Sequence, residues 1–471
     1  MALIDSSAVN VSLPIIQARL HATAAEIQWI VEGYALFLSA LILIGGALGD
    51  RYGRRLLFLI GTWLFTGTSV ACALANDPAF LVGMRCIQGI GAASMIPGSL
   101  ALITATFEER TRGRAIGIWS AASAVTMAAG PVLGGWLTQT LTWRAIFLIN
   151  VPFAAAALTL TYLCVPESRA GSHGKPDVAG SACITVALGL ITLGLIEVQA
   201  GEKIVSSIAL CAGVLAALAF VTVERRADSP VVPLRLFASR AFTIANLYTL
   251  LLYAGLGGAL FFVPFELINA MHYTPTAAGA ALLPTIGLIG AFSPLSGLLA
   301  DRIGARMPMV VGAAVAAIGF ALYGRLGVDA TYLTSVLPAA LVLGIGAALF
   351  VSPLTTAVMN ATDPDDLGAA SGINNSVSRT GGLIAIALLG IVVVIVAQHA
   401  LPPALQASFM GTARQALLTG APPAGFAPSQ SLALHEAYTL GFRAAMFSAA
   451  ALAAGASVIA FFLPRDKNTM T

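Results

Sequence analysis

Six ionisable side chains of this 471-residue chain fall in or beside long apolar runs: Asp5, Glu32, Glu197, Glu266, Arg85 and Arg379. A charge in hydrocarbon costs roughly 3 kcal/mol unless it is paired or neutralised, so such residues carry protons or ions, or they hold one another. Depth sorts them, using about 1.5 Å per helical residue. Glu32 and Arg85 each lie about six residues into their runs, roughly 9 Å, whereas Asp5 lies about fourteen residues from the far end of its own, roughly 21 Å. The count favours a Glu32–Arg85 pair over Asp5–Arg85 and leaves Asp5 to titrate alone. A carboxylate buried without a partner suits proton exchange near neutral pH. Glu197 and Glu266 stand near run ends and are expected at the interface. Arg379, about eleven residues into its run, is a further candidate.

Other chemistries find little to work with. Lys175, Lys203 and Lys467 are the only lysines, and none sits in a GxxxxGK[ST] loop. Cys72, Cys86, Cys164, Cys183 and Cys211 stand singly in apolar stretches with no CxxC or His/Cys spacing, which reads as packing rather than metal binding. His399 and His435 read as surface histidines. No constellation of nucleophile, base and orienting group is visible, so the chain is read as a non-enzyme without cofactor or metal. A net charge of +3 and the lack of a long basic run argue against nucleic acid.

The elements that must hold these residues follow from composition. Apolar residues make up 58% and charged ones 10%, against roughly 25% charged in soluble domains, and mean hydropathy is +0.89. A lipid-embedded fold is required. Apolar runs fall near 1–18, 27–49, 55–75, 79–105, 113–140, 144–164, 178–199, 204–223, 241–267, 276–299, 307–325, 331–358, 368–397 and 437–463. They are long enough for helices of about 20 residues and lack the period-two alternation of barrel strands. With both termini in the cytoplasm, sixteen of 24 Lys/Arg fall on the inner side, as the positive-inside rule requires. The first run, with Asp5 in it and Gln17 at its end, is short for a span, so a start upstream of Met1 is expected. Asp363, Asp365 and Asp366 read as a solvated inner loop, and 398–436 as an outer cap or flexible linker.

The chain also repeats itself. Gly46-Ala-Leu-Gly-Asp50-Arg51-Tyr-Gly53-Arg54-Arg55 returns as Gly297-Leu-Leu-Ala-Asp301-Arg302-Ile-Gly304-Ala305-Arg306, and Gly113, Gly117 and Gly135 are answered by Gly368, Gly372 and Gly390. Two six-helix halves repeated in parallel are a transporter architecture. The expected division is 1–165 for one bundle, 166–240 for two inserted helices with their connectors, and 241–471 for the second bundle.

Several segments carry a family resemblance. GALGDRYGRR (46–55) resembles the inner-loop signature of the major facilitator superfamily, and LVGMRCIQGIGAA (81–93) its intramembrane arginine motif. AAGPVLGG (128–135) resembles the motif of its antiporters, with Thr126 where a glycine is usual. LIDSSAVNVSLP (3–14) and WRAIFLINVP (143–152) are similar to signatures of the fourteen-span drug:proton antiporter family. The match covers essentially the whole chain and implies an all-α major-facilitator fold with fourteen spans.

The resemblance assigns roles residue by residue. Asp5 is implied as the proton carrier, with Glu32 and Arg85 in the coupling. Gly46, Asp50, Arg51, Gly53 and Arg54, with Arg112, Arg114, Asp301 and Arg302, are implied as a conformational latch, Gly46 allowing close helix approach and Gly53 a tight turn. Gly130, Pro131, Gly134 and Gly135 combine a kink with close packing. Asn10, Glu32 and Arg379 are candidates for the substrate cavity. The expectation is a proton-coupled exporter of small amphipathic compounds in a bacterial inner membrane, driven by the proton gradient, with small molecules, protons and lipid as partners and any periplasmic adaptor unspecified. The alternatives are an exporter of one metabolite, proton-linked uptake, or a non-transporting sensor or scaffold.

Overall fold

A computed structural model of the chain describes all residues except 107–121, 123–125, 127–128, 170–176, 228–229, 231, 328–329, 363–366, 407–408, 410–413, 415, 423–425 and 465–471. Arg112 and Arg114, and the side chains of Asp50 and Asp301, therefore lie outside the described residues. The described chain is all helical. In order, α1 spans Ala2–Leu20, α2 Ala24–Tyr52, α3 Arg54–Ala73 and α4 Pro78–Thr106. Next come α5 through 129–140, α6 Ala145–Cys164, α7 Val178–Ala200, α8 Lys203–Glu224, α9 Arg240–Ala270 and α10 Pro275–Ala300. The remaining long helices are α11 Arg306–Tyr323, α12 Tyr332–Asn360, α13 Leu367–Ala400 and α14 Pro428–Ala460.

Helices are the form that satisfies every backbone donor and acceptor within one segment, which lipid demands. Twelve helices among the described residues are long and apolar enough to cross a membrane. Their boundaries are set locally. Thr23 and Glu26 form a reciprocal capping box at α2, Asp177 caps α7, and Thr274 caps the α10 start with Pro275 in its first turn. Left-handed His21 and Gly201 close α1 and α7.

The repeat extends into packing. Gly61 of α3 and Gly91 of α4 meet so closely that a Cβ on Gly91 would stand 3.0 Å from the Gly61 carbonyl oxygen. In the second copy, a Cβ on Gly312 of α11 would stand 2.9 Å from the carbonyl oxygen of Gly346 in α12. Gly89-Ile-Gly-Ala-Ala93 is matched by Gly344-Ile-Gly-Ala-Ala348. That register places Ala340 opposite Arg85 and Leu343 opposite Gln88, both apolar and buried.

α7 and α8 pack on each other through Gly194 against Leu210 and Gly213 against Ile191. α7 then touches both copies: Leu36 of α2, Leu188 of α7 and Leu383 of α13 form one buried cluster, and Gln199 Nε2 donates to the Ala387 carbonyl at 2.9 Å. α8 presents Ile204, Ile208, Leu215 and Leu218 outward, as a lipid-facing surface should.

Of the two readings of 398–436, a cap or a flexible linker, the described residues fit the first: Phe409 and Leu417 are buried with Leu401 and Leu434, Asn269 donates to the Thr419 carbonyl, and α14 begins at Pro428. One expectation is corrected. The close approach of α2 to α4 occurs at Gly45, whose Cβ would stand 2.9 Å from the Ala93 carbonyl carbon, while Gly46 has only an ordinary contact with Pro97 at 3.7 Å. One residue turns the helix by about 100°, which separates the two glycines onto different faces. Arg443 lies within α14 and donates to the Leu326 carbonyl.

Candidate functional site

The site is built around Asp5, near the start of α1 and fully buried. Arg85 of α4 donates from Nη1 to Asp5 Oδ2 at 2.6 Å. Gln88, one turn further along α4, donates from Nε2 to Asp5 Oδ1 at 3.2 Å, and Asn150 of α6 donates from Nδ2 to the same oxygen at 3.1 Å. Ser69 Oγ of α3 accepts from both amides, each at 2.9 Å. Arg85 also donates to Gln88 Oε1 at 2.7 Å and, from Nε, to the Ile30 carbonyl of α2 at 3.0 Å. Its guanidinium lies 4.3 Å from the centroid of the Tyr34 ring. Five helices thus meet in one hydrogen-bonded cluster around the carboxylate, and every member of it is buried. A buried ion pair is tolerable only when its remaining donors and acceptors are met, and here they largely are.

The geometry overturns the expected pairing. Arg85 holds Asp5, not Glu32, and Asp5 does not stand alone. Counting residues gives position along one helix axis but not the relative height or tilt of two helices, and α1 carries Pro14 in its interior. Glu32 is fully buried, yet neither of its oxygens has a hydrogen-bond partner among the described residues. Glu266, expected at an interface, is also fully buried and accepts from Thr439 Oγ1 at 3.0 Å.

Gln88, Asn150 and Ser69 were missed from sequence. Gln88 had a signal, since an amide three residues after an intramembrane arginine shares its face. Asn150 had another, a lone amide in an apolar helix. Ser69 had none, because serines in spans usually bond their own helix.

The remaining candidates do not join this cluster. Asn10 points its Oδ1 at no described partner. Arg379 of α13 lies within electrostatic reach of Tyr34 and Tyr253. In the latch segment, Gly53 has φ 129° and ends α2, while α3 starts immediately after it. Glu167, which no motif singled out, receives the backbone N–H groups of Arg55 at 3.0 Å and Leu56 at 3.1 Å. Arg55 Nη2 donates to the Tyr162 carbonyl at 2.7 Å. The tail of α6 is therefore clamped on the start of α3, where a carboxylate meets the positive end of the helix dipole. Arg302 of the second copy is exposed.

The glycine motif in α5 touches both copies. A Cβ on Gly130 would stand 2.9 Å from Ser7 Cβ, and one on Gly134 would stand 2.7 Å from Ala8 Cα. Gly135 lies against Pro275 and Thr276 of α10, and Gly279 of α10 lies against Pro131. Ser12 of α1 and Thr138 of α5 share a hydrogen bond at 2.7 Å. The motif therefore seats α1, the bearer of Asp5, and closes α5 on α10 of the second copy. Thr126 Oγ1 donates to the Ala122 carbonyl at 2.6 Å.

The sequence model of the Major Facilitator Superfamily matches residues 1–386. The chain is 33% identical over 483 residues to the tetracenomycin C resistance and export protein of Streptomyces glaucescens, covering 98% of this chain and 89% of that protein. It is 36% identical over 412 residues to the multidrug resistance protein Stp of Mycobacterium tuberculosis, covering 86% and 76%. The cephamycin export protein CmcT of Amycolatopsis lactamdurans is 35% identical, with 83% and 82% covered. Among solved structures, a bacterial homologue of the human lysosomal transporter Spinster superposes with a TM-score of 0.67 at 18% identity, over 99% of this chain and 96% of that one.

Proposed function

Since this chain belongs to the Major Facilitator Superfamily, we propose that it is a proton-coupled exporter of small amphipathic compounds in a bacterial inner membrane. The carrying observation is the Asp5 carboxylate, buried in the lipid-spanning bundle and held by Arg85, Gln88 and Asn150. Named export and resistance proteins among the relatives support the direction of transport. Counting α1 and α5 with the twelve long apolar helices gives fourteen spans, with α7–α8 as the insertion between two bundles and the arginine-rich side as cytoplasm.

The cycle follows from charge. With Asp5 ionised, Arg85 is neutralised and α1, α3, α4 and α6 are tied together. A proton arriving from outside converts Asp5 from an acceptor of three bonds into a neutral acid and releases Arg85's charge-assisted hold. The bundle loosens, cargo leaves, and return to the inward arrangement delivers the proton to the cytoplasm as Arg85 re-engages. Glu167 on the α3 start and the α5–α10 contact are elements that must open and close in that exchange. Relatives named for one antibiotic favour a second reading, in which the cargo is a single metabolite on the same cycle.

The test is reconstitution in liposomes with an internal pH dye, an imposed proton gradient, and lipophilic cations and neutral drugs added in turn. Substrate-triggered proton release in wild type that disappears in Asp5→Asn is the expected result. Release undiminished in Asp5→Asn would remove the carrier role, and no proton movement with any compound in folded protein would count against antiport.

A further inference from the structure

Arg379 of α13 is a cation with nothing to answer it. Its Nε is buried without a hydrogen-bond partner among the described residues. The described groups within its electrostatic reach are Tyr34 and Tyr253, and neither is a counter-charge. Arg85 shows what lipid otherwise demands, since its charge is engaged by Asp5. An unanswered guanidinium inside a helical bundle is costly, so Arg379 calls for a counter-ion that comes and goes.

Packing fixes where it stands. Ser376, Arg379 and Leu383 follow one another at spacings of three and four, so they share a face of α13. That face meets α2 of the first copy on either side of Arg379. Ser376 Oγ donates to the Ser39 carbonyl at 3.3 Å, and Leu383 packs with Leu36. A neighbouring face meets α9 of the second copy: Asn374 donates to Asn246 Oδ1 at 3.2 Å and to Thr249 Oγ1 at 2.7 Å, and a Cβ on Gly257 would stand 2.5 Å from Gly382 Cα. Tyr253 lies one turn from both Thr249 and Gly257, which brings it level with Arg379. The guanidinium thus sits where the two copies join, with one tyrosine from each.

This joint is rich in donors and poor in acceptors. A guanidinium offers five N–H groups in a planar fork. Tyr34 Oη is buried and has no partner among the described residues, and Asn374 is already engaged by α9. α2, α7, α9, α12 and α14 pack around α13, yet Asn375, one turn nearer its cytoplasmic end, is exposed, and Ser378 and Arg379 are half-buried. The approach is therefore from the inner side, where cargo for export is taken up.

We propose that Arg379, with Tyr34 and Tyr253, binds the carboxylate of acid-bearing amphipathic cargo at this joint. The proposal rests on the export reading and adds the residue that recognises acidic cargo. A carboxylate takes two parallel N–H bonds from the fork, keeps lone pairs for the Tyr34 hydroxyl, and leaves its apolar body against the tyrosine rings. The Arg85 guanidinium lies 4.3 Å from the centroid of that same Tyr34 ring, so acidic cargo would share a side chain with the Asp5 cluster. A neutral compound has no use for the fork.

A matched pair of probes tests this: dansyl-aminocaproic acid and its primary amide, which share a body and differ in charge. In energised proteoliposomes, Arg379→Gln is expected to lose at least tenfold in transport of the acid and to keep transport of the amide within twofold, with Arg379→Lys recovering part of the acid flux. Equal loss of both compounds, or retention of both, overturns the proposal. Should Arg379→Gln fail to fold, purified wild type answers without transport. Phenylglyoxal labelling of Arg379, read by mass spectrometry, is expected to be blocked by the acid and not by the amide or by sodium acetate. Equal protection by acid and amide, no protection, or no labelling of the free protein overturns it. Acetate protecting as well as the acid would make Arg379 a site for any small anion and overturns the cargo assignment. Failure of the export reading has its own signature: neither probe moves under a gradient in wild type, or flux survives in Asp5→Asn, while the labelling result stands.

Discussion

Arg85 meets Asp5, the Gln88 side-chain Oε1, the Ile30 carbonyl and the Tyr34 ring with one guanidinium. A planar fork can address several acceptors in fixed directions, whereas an ammonium is a point charge on a flexible stem. Arg85→Lys keeps the charge and is therefore expected to fold, yet to lose at least tenfold in coupled proton release in the liposome assay. Wild-type coupling in that variant would show that charge alone suffices. At this scale the sequence was half legible. Asp5 and Arg85 were marked by their expense in lipid, and a polar residue in an apolar run is hard to overlook. Which partner each takes depends on helix height and tilt, and nothing in the one-dimensional pattern encodes either. Glu32 and Arg85 therefore looked like partners although the fold pairs Arg85 with Asp5 and leaves the Glu32 oxygens without a hydrogen-bond partner among the described residues.

Helices were the most legible level, because a run of about 20 apolar residues has few alternatives in a bilayer. Faces were less so: the contact at Gly45 instead of Gly46 needed the phase of α2 against α4. The α5 motif makes a sharp prediction here. A Cβ on Gly134 would stand 2.7 Å from backbone of α1, which cannot give way as a side-chain tip can, and overpacking of this kind costs about 1–3 kcal/mol. Gly134→Val is expected to displace α1 and with it Asp5, lowering both thermal stability and transport. Gly287→Val, where a Cβ meets nothing within 4 Å, is the matched control and should leave both near wild type. The clamp at α3 gives a milder case. Glu167→Gln keeps the shape but removes the charge from the helix start, a loss of roughly 0.3–1 kcal/mol. A several-fold change in turnover with an unchanged fold is expected in the same assay, and unchanged turnover would make Glu167 a plain cap.

For the whole molecule, the proposed coupling sets an energetic ceiling. One elementary charge moved through about 150 mV supplies roughly 3.5 kcal/mol, which sustains about a 300-fold gradient if one neutral molecule leaves per proton. Export vesicles clamped at that potential should plateau near this ratio, and abolishing the potential and pH difference together should return it to unity. A plateau far above it would mean more than one proton per cycle. The repeat was legible because its glycines and loop motifs recur in sequence. The contact of α7 with both copies was not, because α7 and α8 are as apolar as the other long helices and their neighbours are chosen by packing.

The paired glycine contacts, Gly61 with Gly91 and Gly312 with Gly346, keep the same mechanics in both copies, while Arg85 and Gln88 have Ala340 and Leu343 as counterparts. The buried ion pair thus stands in the first copy, on a glycine-packed frame that the second copy shares. On the proposed cycle the second copy is free to drift wherever it does not bear on the joints, so tolerated variation and new cargo preferences should accumulate in α9 to α14. In a saturation-mutagenesis survey for resistance, Ala340, the counterpart of Arg85, is expected to be among the more forgiving positions of its helix for small apolar replacements.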